Sequence, residues 1–375
     1  MNAREVSEIR RRFRADKSNI THLRGCYVNE KKEIISQFHQ SMALLSQSES
    51  EELLSILKRT LSGSIGRNLV DITFDTKQVM SSDEHRLLSA LRSSGLNDTD
   101  AVHTFYQRVI ESLNLESNYL ILLTEDTYDV PYRAKDGEEF DEGSNEVYHY
   151  ILCSICPVKA TKTALTFQTS ENTFRNLSPD WIISPPELGF LFPSFDDRST
   201  NLYNALYYTK NAGENYRPFV DAVFNAPILM PAKRQKETFQ DILSNSLEEE
   251  CRCEVVQSVR DQLCALIEEH KQSKDPHPLV ISKNGMKRLI SGSGVSNERT
   301  EAFSEHFDKA FGADTSLSPR NLVDTKTEVR TADVRIQISS ERSDLVETRM
   351  IDGVRYVLIR VEDSVEVNGV PIQID

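Results

Sequence analysis

The chain has no apolar run approaching the ~20 residues that a membrane-crossing helix needs. No membrane partner is therefore expected. Its opening residues are charged throughout and lack the apolar stretch of a secretory signal, so a cytoplasmic location is expected. Its eight histidines form neither a His-x-x-x-His pair nor a His-Glu-x-x-His, the helix-borne arrangement that grips zinc. There is no Gly-x-Ser-x-Gly elbow for a serine nucleophile. Gly63-Ser64-Ile65-Gly66 and Gly292-Ser293-Gly294 do not lead into the Lys-Ser/Thr of a phosphate loop, and both read as turns. No internal repeat or low-complexity tract is seen. Positive charge is also short: 44 basic residues face 58 acidic ones, a net charge of −14. That argues against a surface built throughout to clamp nucleic acid.

What is present is a well-patterned chain of 375 residues, enough for two or three domains of ordinary size. The first 32 residues stand apart, with nine basic residues against four acids. Val6, Ile9 and Phe13 form one helical stripe among the arginines. Two strands are expected over about 22–28 and 33–38, then a helix over 49–61 opened by the Ser48/Glu51 capping spacing. A strand at 69–74 follows, and helices at 81–94, opened by Ser81/Glu84, and at 99–113. The apolar run 119–123 reads as a buried strand. Six acids between Asp136 and Glu146 mark a solvated loop or linker. Residues 147–156 are apolar on both faces, as in a central strand, with 164–168 its expected neighbour. Residues 181–195, rich in proline, read as irregular, and 200–210 as helical. Helices are expected at 235–247, 254–270, 284–290 and 297–311. The end is β-rich, with Asp352-Gly353 and Asn368-Gly369 as two-residue hairpin turns. The expected class is α+β: mixed α/β N-terminal and middle regions, a helical connector and a β-rich C-terminal module. The expected divisions are 1–133, 147–270 and 279–375.

Three constellations could carry chemistry. Cys153-Ser154-Ile155-Cys156 has a Cys-x-x-Cys spacing, and Cys251-Arg252-Cys253 could complete a zinc set. In an extended strand, however, residues i and i+3 point to opposite faces. Packing of reduced thiols is the simpler expectation, so neither metal nor cofactor is assigned. Arg10, Arg11, Arg12 and Arg14 form a basic patch that could bind phosphates. They could equally pair with the remainder of the chain, which carries −19. Asp196, Asp197 and Arg198 sit beside an apolar segment. With Tyr203 and Tyr207, four residues apart on an expected helix, they make a candidate ligand or partner site. Phe190, Phe192 and Phe195 would form its wall. The competing expectation is that the polar residues only cap that helix.

The stretches DKSN (16–19), RGCYVNEKKE (24–33), LCSICPVK (152–159), PELGFLFPSFDDRSTNLYNALYYT (186–209) and DLVETRMIDGVRYVLI (344–359) resemble one bacterial family. That family, typical of Clostridia-type anaerobes, is designated domain of unknown function 4317. The resemblance extends over essentially the whole chain. It implies a cytoplasmic, bacterial, single-family architecture and brings no catalytic residue or cofactor with it.

The leading expectation is a non-catalytic interaction or regulatory protein with a protein partner. The alternatives are association with nucleic acid or the ribosome through the basic N-terminal helix, and a metal-dependent enzyme centred on Asp196 and Asp197.

Overall fold

A computed structural model describes every residue except 134–138, 141–145, 161–163, 178–180, 325–326, 331–332, 339–344, 362–364, 368–369 and 373–375. Most of the acidic 136–146 segment and the Asn368-Gly369 turn lie outside the described residues. The chain divides into two units, Met1–Ala232 with Pro276–Pro278, and Lys233–Asp275 with Leu279–Asp375.

The first unit is built on one antiparallel sheet. Its elements run α1 (Ala3–Arg10), β1 (His22–Val28), β2 (Ile34–Ser41), α2 (Gln47–Lys58), β3 (Leu69–Thr73), α3 (Thr76–Ser81), α4 (Asp83–Ser93), α5 (Thr99–Ser112) and β4 (Tyr119–Asp129). They continue through β5 (Tyr132–Arg133), β6 (Glu139–Phe140), β7 (Val147–Ala160), β8 (Ala164–Gln168), β9 (Thr173–Leu177), β10 (Trp181–Ile183), β11 (Leu188–Phe192), β12 (Ser194–Asp196), β13 (Ser199–Asn201), β14 (Asn204–Thr209) and α6 (Arg217–Val223). The sheet order is β2-β1-β4-β7-β11-β14-β3, with β10 also on β7. The strands flanking the acidic segment, β4 and β7, pair from Tyr119↔Pro157 to Asp129↔Val147. Residues 1–133 and 147–232 therefore share one unit.

Strand alternation sorts the core into two layers. Ile151, Cys153 and Ile155 face Leu88 and Leu91 of α4, Phe105 of α5 and Phe219 of α6. Tyr148, Tyr150, Leu152 and Cys156 face Val6 and Ile9 of α1 and Leu54 and Leu57 of α2. Gly189 lies where β11 passes closest: a Cβ there would stand 2.2 Å from the Cys153 carbonyl oxygen.

Several sequence-derived expectations are corrected. Residues 199–209 form strands β13 and β14 in place of a helix. Ala205 and Tyr207 are buried in one core layer and Leu206 and Tyr208 in the other, because both faces of the sheet are covered at β14. Such a run fits a buried strand as well as a helix. Residues 181–195 contain β10, β11 and β12, with Pro193 between strands. Strand β8 pairs with β9 instead of β7. Helix α2 is capped by Ser46 in a box with Glu49, and α4 by Ser82, close to Ser48 and Ser81.

The second unit holds α7 (Ala232–Leu247), which begins at its boundary, then α8 (Cys253–Ser273), β15 (Ile281–Ser282), α9 (Lys283–Gly292), α10 (Asn297–Phe311) and β16 (Ser316–Leu317). Phe239, Leu243, Leu263, Met286, Phe303 and Phe307 supply its core. Three two-stranded hairpins follow: β17 (Thr327–Arg330) with β18 (Arg335–Ile338), β19 (Val346–Ile351) with β20 (Val354–Ile359), and β21 (Val365–Val367) with β22 (Val370–Ile372). Asp352 and Gly353 turn β19 into β20 with φ of 49° and 78°, the left-handed pair that a tight hairpin requires. The fold is α+β.

Candidate functional site

The Asp196–Arg198 cluster forms the tip of the β12–β13 hairpin. Asp196 pairs with Ser199, and Asp197 and Arg198 between them have φ of 50° and 58°. Two non-glycine residues in the left-handed region are strained, and neighbouring groups hold them there. The Asp197 N–H donates to Glu5 Oε1 at 2.9 Å. Arg198 Nη2 donates to the Pro131 carbonyl at 2.9 Å and meets Glu8 Oε1 at 3.1 Å. The Thr200 N–H donates to Glu146 Oε1. Asp196 lies 2.7 Å from the Met1 ammonium, which also reaches Asp71, and accepts from Asn201 Nδ2 at 2.8 Å. Burial pushes the Asp71 carboxyl up. This hairpin is thus tied to α1 by ion pairs and hydrogen bonds, and no helix follows for it to cap.

The two tyrosines of the candidate site separate. Tyr207 is buried among Phe219 and Phe224 and donates to the Asn215 carbonyl. Tyr203 is exposed between β13 and β14. Phe190 and Phe192 lie in one core layer and Phe195 in the other.

The basic patch divides as well. Helix α1 opens with a capping box between Asn2 and Glu5, and Val6, Ile9 and Phe13 are buried against the sheet. Arg12 turns inward and places Nε 3.2 Å and Nη2 3.4 Å from the fully buried Asp126 carboxylate. Asp126 also accepts from the Tyr150 hydroxyl at 2.8 Å. The Arg12 guanidinium covers the Tyr128 ring at 5.1 Å, and the Tyr128 hydroxyl donates to Glu8. Arg14 pairs with Asp16 at the surface. Arg10 is half-buried and Arg11 exposed. Glu8, Asp126 and Tyr128 gave no local signal, since Arg12 and Asp126 are 114 residues apart and Glu8 and Tyr128 are 120 apart.

Cys153 and Cys156 point into opposite core layers, as their spacing in a strand requires. Burial raises the Cys153 thiol well above its ordinary value and brings Cys156 to about 12 and Cys26 to about 11. Above pH 9 the unfolded thiols ionise while the folded ones stay protonated. These three groups therefore favour folding fully below pH 9, and that contribution is lost as pH rises through the folded values. The urea midpoint at pH 10.5 is expected to fall below that at pH 8. At pH 8 a thiol reagent should label Cys251, Cys253 and Cys264, which are partly exposed, well before the buried three.

In the second unit, Cys251 and Cys253 line a cavity of about 800 Å³ with Phe239, Leu243, Arg252 and Arg260. Among the described residues no group of three His, Cys, Asp or Glu side chains is placed to hold a metal ion, and no helix is long and apolar enough to cross a membrane.

An apolar display on the first unit lies on hairpin β8–β9. Phe167 stands opposite Phe174 with ring centroids 5.2 Å apart. Leu165, two residues before Phe167, shares their face. Exposures are 66% for Leu165, 49% for Phe167 and 66% for Phe174. Trp181 and Ile182 of β10 follow, each 57% exposed. The sequence marks Leu165 and Phe167 as part of a strand. It does not mark them as exposed, because apolar alternation reads the same whether its face meets a core or solvent.

The antiparallel sheet between two helical layers, with a helical second unit and terminal hairpins, defines an α+β protein of two units. The chain matches the model of a family described as Domain of unknown function (DUF4317) over residues 1–370 and belongs to that family. No curated protein and no solved structure matches it.

Proposed function

We propose that the protein is a non-catalytic interaction protein that engages a protein partner through the β8–β9 hairpin and β10. The observation carrying this reading is the exposed face of Leu165, Phe167 and Phe174, followed by Trp181 and Ile182. Aromatic groups of this kind anchor protein interfaces, where burial on contact gives most of the binding energy. Clustered apolar exposure is otherwise unfavourable for a monomer in water.

The nucleic-acid reading receives less support, because Arg12 lies in a buried pair and Arg14 is matched by Asp16. The metal-enzyme reading is weakened by the contacts of Asp196 with the Met1 ammonium and Asn201. A cytoplasmic setting accords with the reduced, separated cysteines.

The test is affinity capture with the full chain and with the triple variant Phe167→Ser, Phe174→Ser, Trp181→Ser. These side chains are exposed, so each change should alter stability by no more than about 0.5 kcal/mol. The variant is expected to lose the protein partner while keeping the wild-type melting temperature. Equal recovery of the partner by both proteins would remove this surface from the function, and recovery of RNA by both would favour the basic-patch reading.

A further inference from the structure

The β19–β20 hairpin of the second unit has an unusual exposure. Val354, Tyr356 and Ile351 are exposed on one face, and Met350, Val357 and Ile359 on the other. Among the described residues its two strands pair only with each other. A lone two-stranded hairpin is marginal in water, and three or more strands with an apolar face are needed for independent stability. An outer edge of unpaired backbone groups is also a template for another strand.

The charge pattern on β19 selects what fits that edge. Its charged residues are Glu347 and Arg349, on one face, joined by a forked ion pair at 2.7 and 2.9 Å. Suppose a second copy of β19 lies antiparallel along this edge, related by a twofold axis. Opposite residues must then share a face, so they must be separated by an even number of positions. Centring on Glu347 sets two carboxylates opposite each other, and centring on Arg349 sets two guanidinium groups opposite each other; both are unfavourable. Centring on Thr348 sets Glu347 opposite the second copy's Arg349, and Arg349 opposite the second copy's Glu347. The same register sets Val346 opposite the second copy's Met350 on the other face. Strand β20 carries a single charged residue, Arg355, and offers no such complement.

We infer that the chain self-associates through β19, forming a four-stranded sheet about a twofold axis at Thr348. The partner is a second copy of this chain. The surface is distinct from the β8–β9 hairpin, so failure of either proposal leaves the other standing.

Sedimentation equilibrium of the full chain tests this. The wild type is expected at twice the chain mass. Glu347→Arg alone and Arg349→Glu alone should each shift it to the monomer, because like charges then meet across the axis. An equimolar mixture of the two single variants should return to the dimer mass. In the mixture each chain still lacks its own ion pair, so recovery reports only the contact between copies. Thr348→Cys, which places two thiols opposite each other with Cβ atoms ~4.5–5.5 Å apart, should be joined into a covalent dimer by a short bismaleimide reagent. A monomeric wild type, single variants that remain dimeric, a mixture that stays monomeric, or a Thr348→Cys protein that forms no such link would each overturn the proposal.

Discussion

Arg12→Ala is expected to destabilise the protein by about 3–5 kcal/mol, because it leaves one member of a buried ion pair without its partner. Asp126 is fully buried and keeps only the Tyr150 hydroxyl once the guanidinium is gone. Arg12 also covers the Tyr128 ring, so packing is lost with the charge. Arg12→Lys should recover only part of the loss, since an ammonium cannot reproduce the two-pronged contact with Asp126. Arg11, one residue earlier and exposed, is the control; Arg11→Ala should change stability by no more than about 0.5 kcal/mol. Urea denaturation of the three variants measures the difference. Equal midpoints for Arg11→Ala and Arg12→Ala would mean that the pair does not hold α1 down, and the arginines would again be candidates for an external phosphate.

Phe190→Ala is expected to cost about 3–5 kcal/mol, toward the upper end because the site is enclosed on every side. The ring is fully buried and lies 6.0 Å from Phe105, 6.5 Å from Phe219 and 5.1 Å from Phe224. It therefore connects β11 to the helices on that side of the sheet. A phenylalanine lining a ligand pocket would behave otherwise, losing binding while the melting temperature stayed near its wild-type value. The measurement thus separates core from pocket wall for the residue that the sequence places beside Asp196 and Arg198.

The sequence made much of the framework legible because periodicity is local. The stripe of Val6, Ile9 and Phe13 reaches the core, the helix at 297–311 opens at Ser296, and Asp352-Gly353 makes its hairpin. Misreadings arose where a segment is apolar on both faces. Residues 205–208 satisfy helix and buried-strand patterns together, and only the strands on either side decide. The prolines at 185, 186 and 193 suggested irregularity, yet they lie outside β11 and leave its ladder intact. The polar network was beyond local reading, since Arg12 and Asp126 are 114 residues apart and meet only through the order of the sheet. That network also explains why Asp196, Asp197 and Arg198 resemble a site: the same mixture of charges can hold a hairpin to a helix.

The exposed β8–β9 face is expected to meet a protein partner in the cell. Photocross-linking inside the native cell tests it most directly, with a benzophenone amino acid replacing Phe174. Two further chains carry it at Leu44 and Met80, which are 81% and 77% exposed and lie on other elements. A discrete protein adduct is expected at position 174 and none at positions 44 and 80. The same adduct at all three positions, or none at 174, would contradict it.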